Sequence, residues 1–519
     1  MKTPIITLFF LLFLTFYIYG QGLNLNDESY QKVPLKKATS TKADSLPTKV
    51  DLSPFVPSVI NQGSLGTCVG VSTAYYMRTI MEAHRRQITN KDTIDALRFS
   101  PSFLYNSVKK KTDTSCTAGT EIEVALEQLK TAGVARFAEQ GYPYCEANKP
   151  IAVSKSSKIL DYVKLFGLNY QTDTKEIAIK KALAEGSPVI VGIQTTDSLE
   201  QLGNNGFWKR IWRHFWRFFG IEVSEEVGLW KPEKSASLRS GHAICIIGYD
   251  DTKFGVGAFR AVNSRGEDWG EDGFFWIRYS DVSEFVKYGF QAYVVSENDM
   301  EQVERSADIV VNYPYKTLDD GAIFGAIDLE PRSVDEKMRA FELTNVQRTR
   351  TAYKFSINND KQTYLYVLDV NAAQLSEMYL LFPQSDSVRV STNTDSVTIF
   401  VKTDSVSAFI GENTKIVLPS EKEVYALQEP SGTEYWLFLF TETPIDINAY
   451  LKAMNEGKGS LTQRVYAAFG DAIVPYNQIK CPLNKMGFEL KKGHKGHIVP
   501  LTIRVNHEKR RTRTFARAL

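Results

Sequence analysis

The hydrophobic periodicity of this 519-residue chain changes along its length, and the order of the patterns restricts the fold more than any single motif does. Helical spacing comes first. It runs from Cys68 through Val69, Ser72, Thr73, Tyr76 and Ile80, and again over GTEIEVALEQLKTAG (119–133), where Ile122, Ala125, Leu126 and Leu129 share one face. Strand-like runs follow: SPVIVGI (187–193), GHAICIIGY (241–249), GAFRAV (257–262) and GFFWIRY (273–279). Helices followed by antiparallel strands predict an α+β unit over residues 50–297. After a weakly patterned linker, 298–333, alternating runs such as TYLYVLDV, VTIFVK and EYWLFLF are separated by Asp, Asn, Ser and Pro. They predict an all-β, sandwich-like unit over 334–450. Residues 451–519 read as an extension with a solvated basic tail.

The first twenty residues read as an export signal: Lys2, an apolar run from Ile5 to Tyr19, then Gly20 before Gln21, with cleavage expected near Gly20. The run is short of the ~20 residues that span a bilayer. An exported location, periplasmic or secreted, follows as an expectation. Residues 21–49, rich in Lys, Thr, Ser and Asp, lack periodicity and read as a flexible leader. Lys plus Arg number 62 against 60 Asp plus Glu, a balance that argues against a nucleic-acid partner. The segment FWKRIWRHFWRFFG (207–220) mixes cations with bulky aromatics, which suits either a membrane surface or an amphipathic helix packed on its own domain; the second reading is preferred.

In an oxidising compartment five cysteines leave at least one unpaired within the chain. Cys116 and Cys145 are a candidate disulfide, which needs Cα atoms roughly 4.4–6.8 Å apart. Cys245, inside AICIIGY, reads as a buried inert thiol. Cys68 opens a helical pattern directly after the turn NQGSLGT, so the positive end of a helix macrodipole would favour its thiolate. A cysteine nucleophile needs a base, and the base needs an orienting group. Of the six histidines, His84 lies too far along the same helix, His214 lies in the aromatic basic segment, and His494, His497 and His507 lie in or near the tail. His494 and His497 read as a solvent-exposed turn, with no metal site expected. His242 opens a strand beside a glycine and is the candidate base. Asn263 ends another strand and can accept from one imidazole nitrogen, leaving the other for the sulfur. Gln62 is placed to donate to an oxyanion, and Trp269 to roof the His–Asn bond.

The segments NQGSLGTC, SPSFLYN (100–106), AGTEIEVALEQLKTAGV, GYPY (141–144), GHAICIIGYDD and NSRGEDWGEDGFFWI together resemble the papain-like cysteine peptidases over residues 50 to about 290. The resemblance implies a two-lobed fold and peptide hydrolysis through an acyl thioester, with no cofactor and a polypeptide substrate. It assigns Cys68 as nucleophile, His242 as acid/base, Asn263 as orienter and Gln62, with the Cys68 backbone N–H, as oxyanion hole. Ala118 and Gly119, with Trp269, would border the substrate.

Three departures stand out. Leu65 and Val69 replace a cysteine and a tryptophan that the family commonly places around the nucleophile, and Arg265 replaces a tryptophan after Asn-Ser. A cation near an imidazolium is unfavourable unless a carboxylate such as Glu267 or Asp268 neutralises it. The family's long inhibitory propeptide is absent, so latency is expected to come from elsewhere. Two other functions use the same scaffold: a catalytically weak binding module, and a cell-wall peptide amidase or transpeptidase. The β-rich unit is similar to a bacterial domain of unknown function, for which a protein partner is the expectation.

Overall fold

The computed structural model describes residues 22–37, 46–170, 172–202, 228–232, 241–294, 304–318, 321–326, 338–343, 346–383, 387–391, 398–402, 405–420, 423–482 and 485–509. The export signal, the 207–220 segment and the end of the basic tail lie outside them.

The first unit is built as its sequence patterns predict. A continuous helical run begins at Cys68, passes through a π-helical stretch at Val71–Arg78 and ends as the α-helix Thr79–Arg85. The helix Ile122–Thr131 packs beside it with Ile122, Ala125, Leu126 and Leu129 fully buried. An antiparallel sheet follows, in the order Asp161–Lys164, Val286–Tyr293, Val189–Gln194, Gly241–Asp250, Ala258–Val262, Phe274–Arg278, with Lys49–Asp51 paired to Gly241–Asp250. Gly241–Asp250 is buried along nearly its whole length, which explains why AICIIGY is an unbroken apolar run rather than an alternating one. Ser72 Oγ donates to Ala243 O at 2.7 Å and ties the Cys68 helix to this strand.

The second unit is larger than expected. Two seven-stranded sheets face each other, sharing a core in which Tyr353, Phe355, Trp436 and Phe438 meet. Strand Gly432–Thr441 buries both faces: Trp436, Phe438 and Phe440 point between the sheets, while Leu437 and Leu439 pack under the helices Ile447–Glu456 and Leu461–Phe469. Two expectations are corrected. The 298–333 linker contains the strands Arg305–Leu318 and Gly321–Ala326, and the 451–519 extension contains Ile498–Glu508, an interior strand beside Gly432–Thr441. The sandwich therefore runs from Arg305 to Glu508.

The two units touch. Tyr364 Oη donates to Asp161 Oδ2 at 2.9 Å, the Tyr293 and Phe409 rings lie 4.4 Å apart, and Gln362 Nε2 donates to Val294 O at 3.2 Å.

Residues 22–37 are not a loose leader. They form the helix Asp27–Lys32, capped by the Asn26 side chain on Ser29 N–H. Tyr30 is fully buried, stacked on Tyr288 at 4.4 Å, edge-on to Phe290 at 5.2 Å, and its hydroxyl donates to Phe166 O.

Candidate active site

Cys68 is the first residue of its helix and has no exposed surface. Thr67 occupies the N-cap position without a side-chain cap; its hydroxyl pairs with Tyr142 Oη at 2.7 Å. Burial pushes the Cys68 thiol up to about 11, against the Ala243 backbone N–H and the Arg265 cation, which pull it down. Since Ala243 follows His242, the sulfur lies where the Gly241–Asp250 strand begins.

Asn61 and Arg265 form an antiparallel bridge, Gln62 N–H donates to Ser264 O at 2.9 Å and Gly266 N–H to Ile60 O at 3.1 Å. This short ladder brings the Gln62 turn against the segment after Asn263. The Gln62 amide is fixed at both ends: Nε2 donates to Leu65 O at 2.7 Å, and Oε1 accepts from Ser264 Oγ.

His242 Nε2 lies 2.8 Å from Asn263 Oδ1, which also accepts from Ser264 N–H at 2.8 Å. The Ser264 N–H can only donate, which identifies this atom as the amide oxygen; an oxygen can only accept, so Nε2 carries the imidazole proton and Nδ1 presents its lone pair. Nδ1 is buried without a hydrogen-bond partner among the described residues. Burial first, and the Arg265 cation second, push His242 down to about 3, with the Asn263 bond opposing. Burial thus favours the neutral form of both thiol and imidazole.

Arg265 is 4% exposed and donates to Glu200 Oε1 at 2.8 Å. This carboxylate, on the short helix Asp197–Gln201, stands outside the pair Glu267 and Asp268 to which the sequence points. Trp269 is buried, edge-on to Phe275 at 5.3 Å. Cys116 and Cys145 are joined, with Cα atoms 5.8 Å apart, while Cys68, Cys245 and Cys481 are free. His494 is buried, not solvent-exposed, with Nε2 3.5 Å from Glu442 Oε1. Among the described residues no cluster of three or more His, Cys, Asp or Glu is placed to hold a metal ion.

The leader runs through this site, a feature that sequence reasoning missed. Asn24 N–H donates to Thr120 O and Thr120 N–H to Gly22 O, both at 2.9 Å, while Leu23 N–H donates to Gly241 O at 3.3 Å. Leu23 is therefore bridged on one side to the helical lobe and on the other to the residue before His242. The approach is so close that a Cβ on Gly22 would stand 2.1 Å from Gly66 O, and one on Gly119 2.5 Å from Gly22 O. Asn24 Nδ2 reaches Ala118 O at 3.3 Å, so Ala118 and Gly119 border the leader strand.

Residues 46–296 match the family model described as papain family cysteine protease. Cathepsin B-like CP3 of Giardia intestinalis is 25% identical over 253 residues, 47% of this chain and 72% of that protein. Xylellain, a cysteine protease from Xylella fastidiosa, is 23% identical with a TM-score of 0.39, covering 54% of this chain and 97% of its own. The proCathepsin B S9 from Trypanosoma congolense is 16% identical with a TM-score of 0.39, covering 53% of this chain and 87% of its own.

Proposed function

Residues 46–296 belong to the papain family of cysteine proteases, which makes the chain a cysteine peptidase, and on that premise we propose that it is an exported endopeptidase held latent by its own leader. The observation that carries the mechanism is the His242–Asn263 pair at 2.8 Å, with Cys68 at a helix N-terminus and its sulfur against the backbone of Ala243, the residue after His242. Neutral His242 takes the thiol proton at Nδ1, and the sulfur attacks the peptide carbonyl. The oxyanion meets the Cys68 backbone N–H and an N–H of Gln62, whose amide nitrogen carries two. The imidazolium then protonates the leaving amine, and water releases the acyl group by the reverse path.

Latency comes from the leader. Gly22–Asn24 hydrogen-bonds across the two sides of the cleft, and Cys68, His242, Gln62 and Asn263 are each at most 2% exposed. In that dry setting neither the thiolate nor the imidazolium is favoured. Displacing the strand readmits water and substrate. Export is supported by the Lys2 to Gly20 pattern and by the Cys116–Cys145 bridge, since such bonds persist in oxidising compartments. Release of the leader is expected to produce casein hydrolysis under reducing conditions. A leader-released protein that labels with a thiol-directed epoxide yet leaves casein intact would contradict the endopeptidase reading.

Two residue-level results follow. Gln62→Ala is expected to lower kcat/KM by about 10²–10³-fold, the usual cost of one oxyanion donor, with epoxide labelling of Cys68 retained. Arg265 acts on both members of the pair, lowering the thiol and the imidazole together. Its cation favours thiolate and disfavours imidazolium, so Arg265→Gln should raise both values and move the whole pH–rate bell to higher pH. An unmoved bell would show that Glu200 already cancels the charge.

A further inference from the structure

The leader strand is held on two edges by two different units. On one edge, Lys164 N–H donates to Pro34 O at 3.0 Å and Lys36 N–H to Lys164 O at 2.8 Å. On the other, Leu35 N–H donates to Ser405 O at 2.7 Å and Ser407 N–H to Leu35 O at 2.9 Å. Residues 34 and 36 thus serve the peptidase sheet while residue 35 serves the β-rich unit. The leader is the middle strand of a parallel ladder that crosses from Lys164 to Val406. Pro34 fits because its edge asks only for a carbonyl. The next side chain continues the pattern, Lys37 Nζ donating to Pro419 O in the β-rich unit. The contacts Tyr364–Asp161, Tyr293–Phe409 and Gln362–Val294 hold the 405–407 segment opposite Lys164.

We propose that the β-rich unit is an intramolecular latch: its Ser405–Ser407 edge binds the leader by strand addition and keeps Gly22–Asn24 in the cleft. The partner expected for this unit is then a segment of the same chain. The proposal rests on the reading that the leader blocks the site, and it adds that withdrawal of the β-rich unit lowers the barrier to leader release. An extended polypeptide competing for the same edge would act as an activator.

The test uses the chain beginning at Gln21. Leu35→Pro removes the N–H that serves Ser405 and leaves the Lys164 edge intact; Ser407→Pro removes the opposing donor from the other unit. Each should raise the rate of epoxide labelling at Cys68 by about 3- to 10-fold, the equivalent of one ladder hydrogen bond plus local strain, and speed amide exchange at Leu23 and Asn24. Neither should change labelling in a Leu23→Asp background, where the strand has already left. If both variants label and exchange at the parental rate while Leu23→Asp labels fast, the leader helix alone holds the strand and the latch is wrong, with the leader reading intact. If Leu23→Asp also labels at the parental rate, the leader reading fails and the latch with it.

Discussion

Replacing Cys68 by alanine is expected to lower peptide hydrolysis by the leader-released protein by at least about 10⁴-fold, to the limit of detection. The size follows from the chemistry. The covalent route vanishes with the nucleophile, and only substrate binding and oxyanion donors remain, a remainder worth roughly 10³–10⁴ over water in a triad peptidase. His242→Ala should fall to a similar level, and the double replacement should cost little more, because thiol and imidazole act as one unit. Asn263→Ala is milder in kind. It removes the acceptor that fixes the Nε2–H tautomer while leaving base and nucleophile present. Cys245 and Cys481 offer no substitute: Cys245 is wholly buried within its strand, and burial pushes the Cys481 thiol up. Activity in Cys68→Ala that persists within tenfold of the parent would remove Cys68 from the mechanism.

The second large effect concerns the leader. Leu23 is 5% exposed, fitted between Thr120 and Gly241, where a Cβ on Gly192 would come within 2.9 Å of the Leu23 side chain. Leu23→Asp would set an unpaired carboxylate in that slot. Desolvating it costs several kcal/mol, so the docked strand loses at least about 3 kcal/mol, or roughly a hundredfold in the population that is open. The rate of epoxide labelling at Cys68 should rise by a similar factor. Gly22→Val reaches the same end by another route, since its Cβ would collide with Gly66 O. The helix Asp27–Lys32 opposes both changes. Tyr30, a buried aromatic worth on the order of 2–3 kcal/mol, keeps the leader tethered after the strand has left. Labelling that rises in neither variant would show that the cleft is open to small electrophiles in the parent.

The features legible in the sequence are those whose chemistry is local. Cys68 after a tight turn, His242 at a strand start and Asn263 at a strand end each sit at an element boundary that periodicity marks. The carboxylate for Arg265 was not legible, because Glu200 is 65 residues away on a five-residue helix with no pattern of its own. The leader was misread for a related reason. Its polar composition predicts no core, yet its anchors are single residues, Leu23, Tyr30 and Leu35, and its hydrogen bonds go to edges supplied by other segments. The β-rich unit was cut short at both ends because Arg305–Leu318 carries charged residues among its apolar ones and Ile498–Glu508 lies among basic ones. Pairing between distant strands leaves no local signature. His494 shows the same limit: flanking Lys and Gly suggest exposure, while its imidazole packs against Glu442.

The central claim is that Cys68 is a peptidase nucleophile kept silent by residues 22–24, and mass mapping of a thiol-directed epoxide on the parent, Leu23→Asp and Leu23→Asp/Cys68→Ala chains tests it most directly. The predicted result is slow labelling of the parent, fast labelling of Leu23→Asp at Cys68 alone, and no adduct in the double variant; equal labelling of all three, or an adduct carried by Cys245 or Cys481, would contradict it.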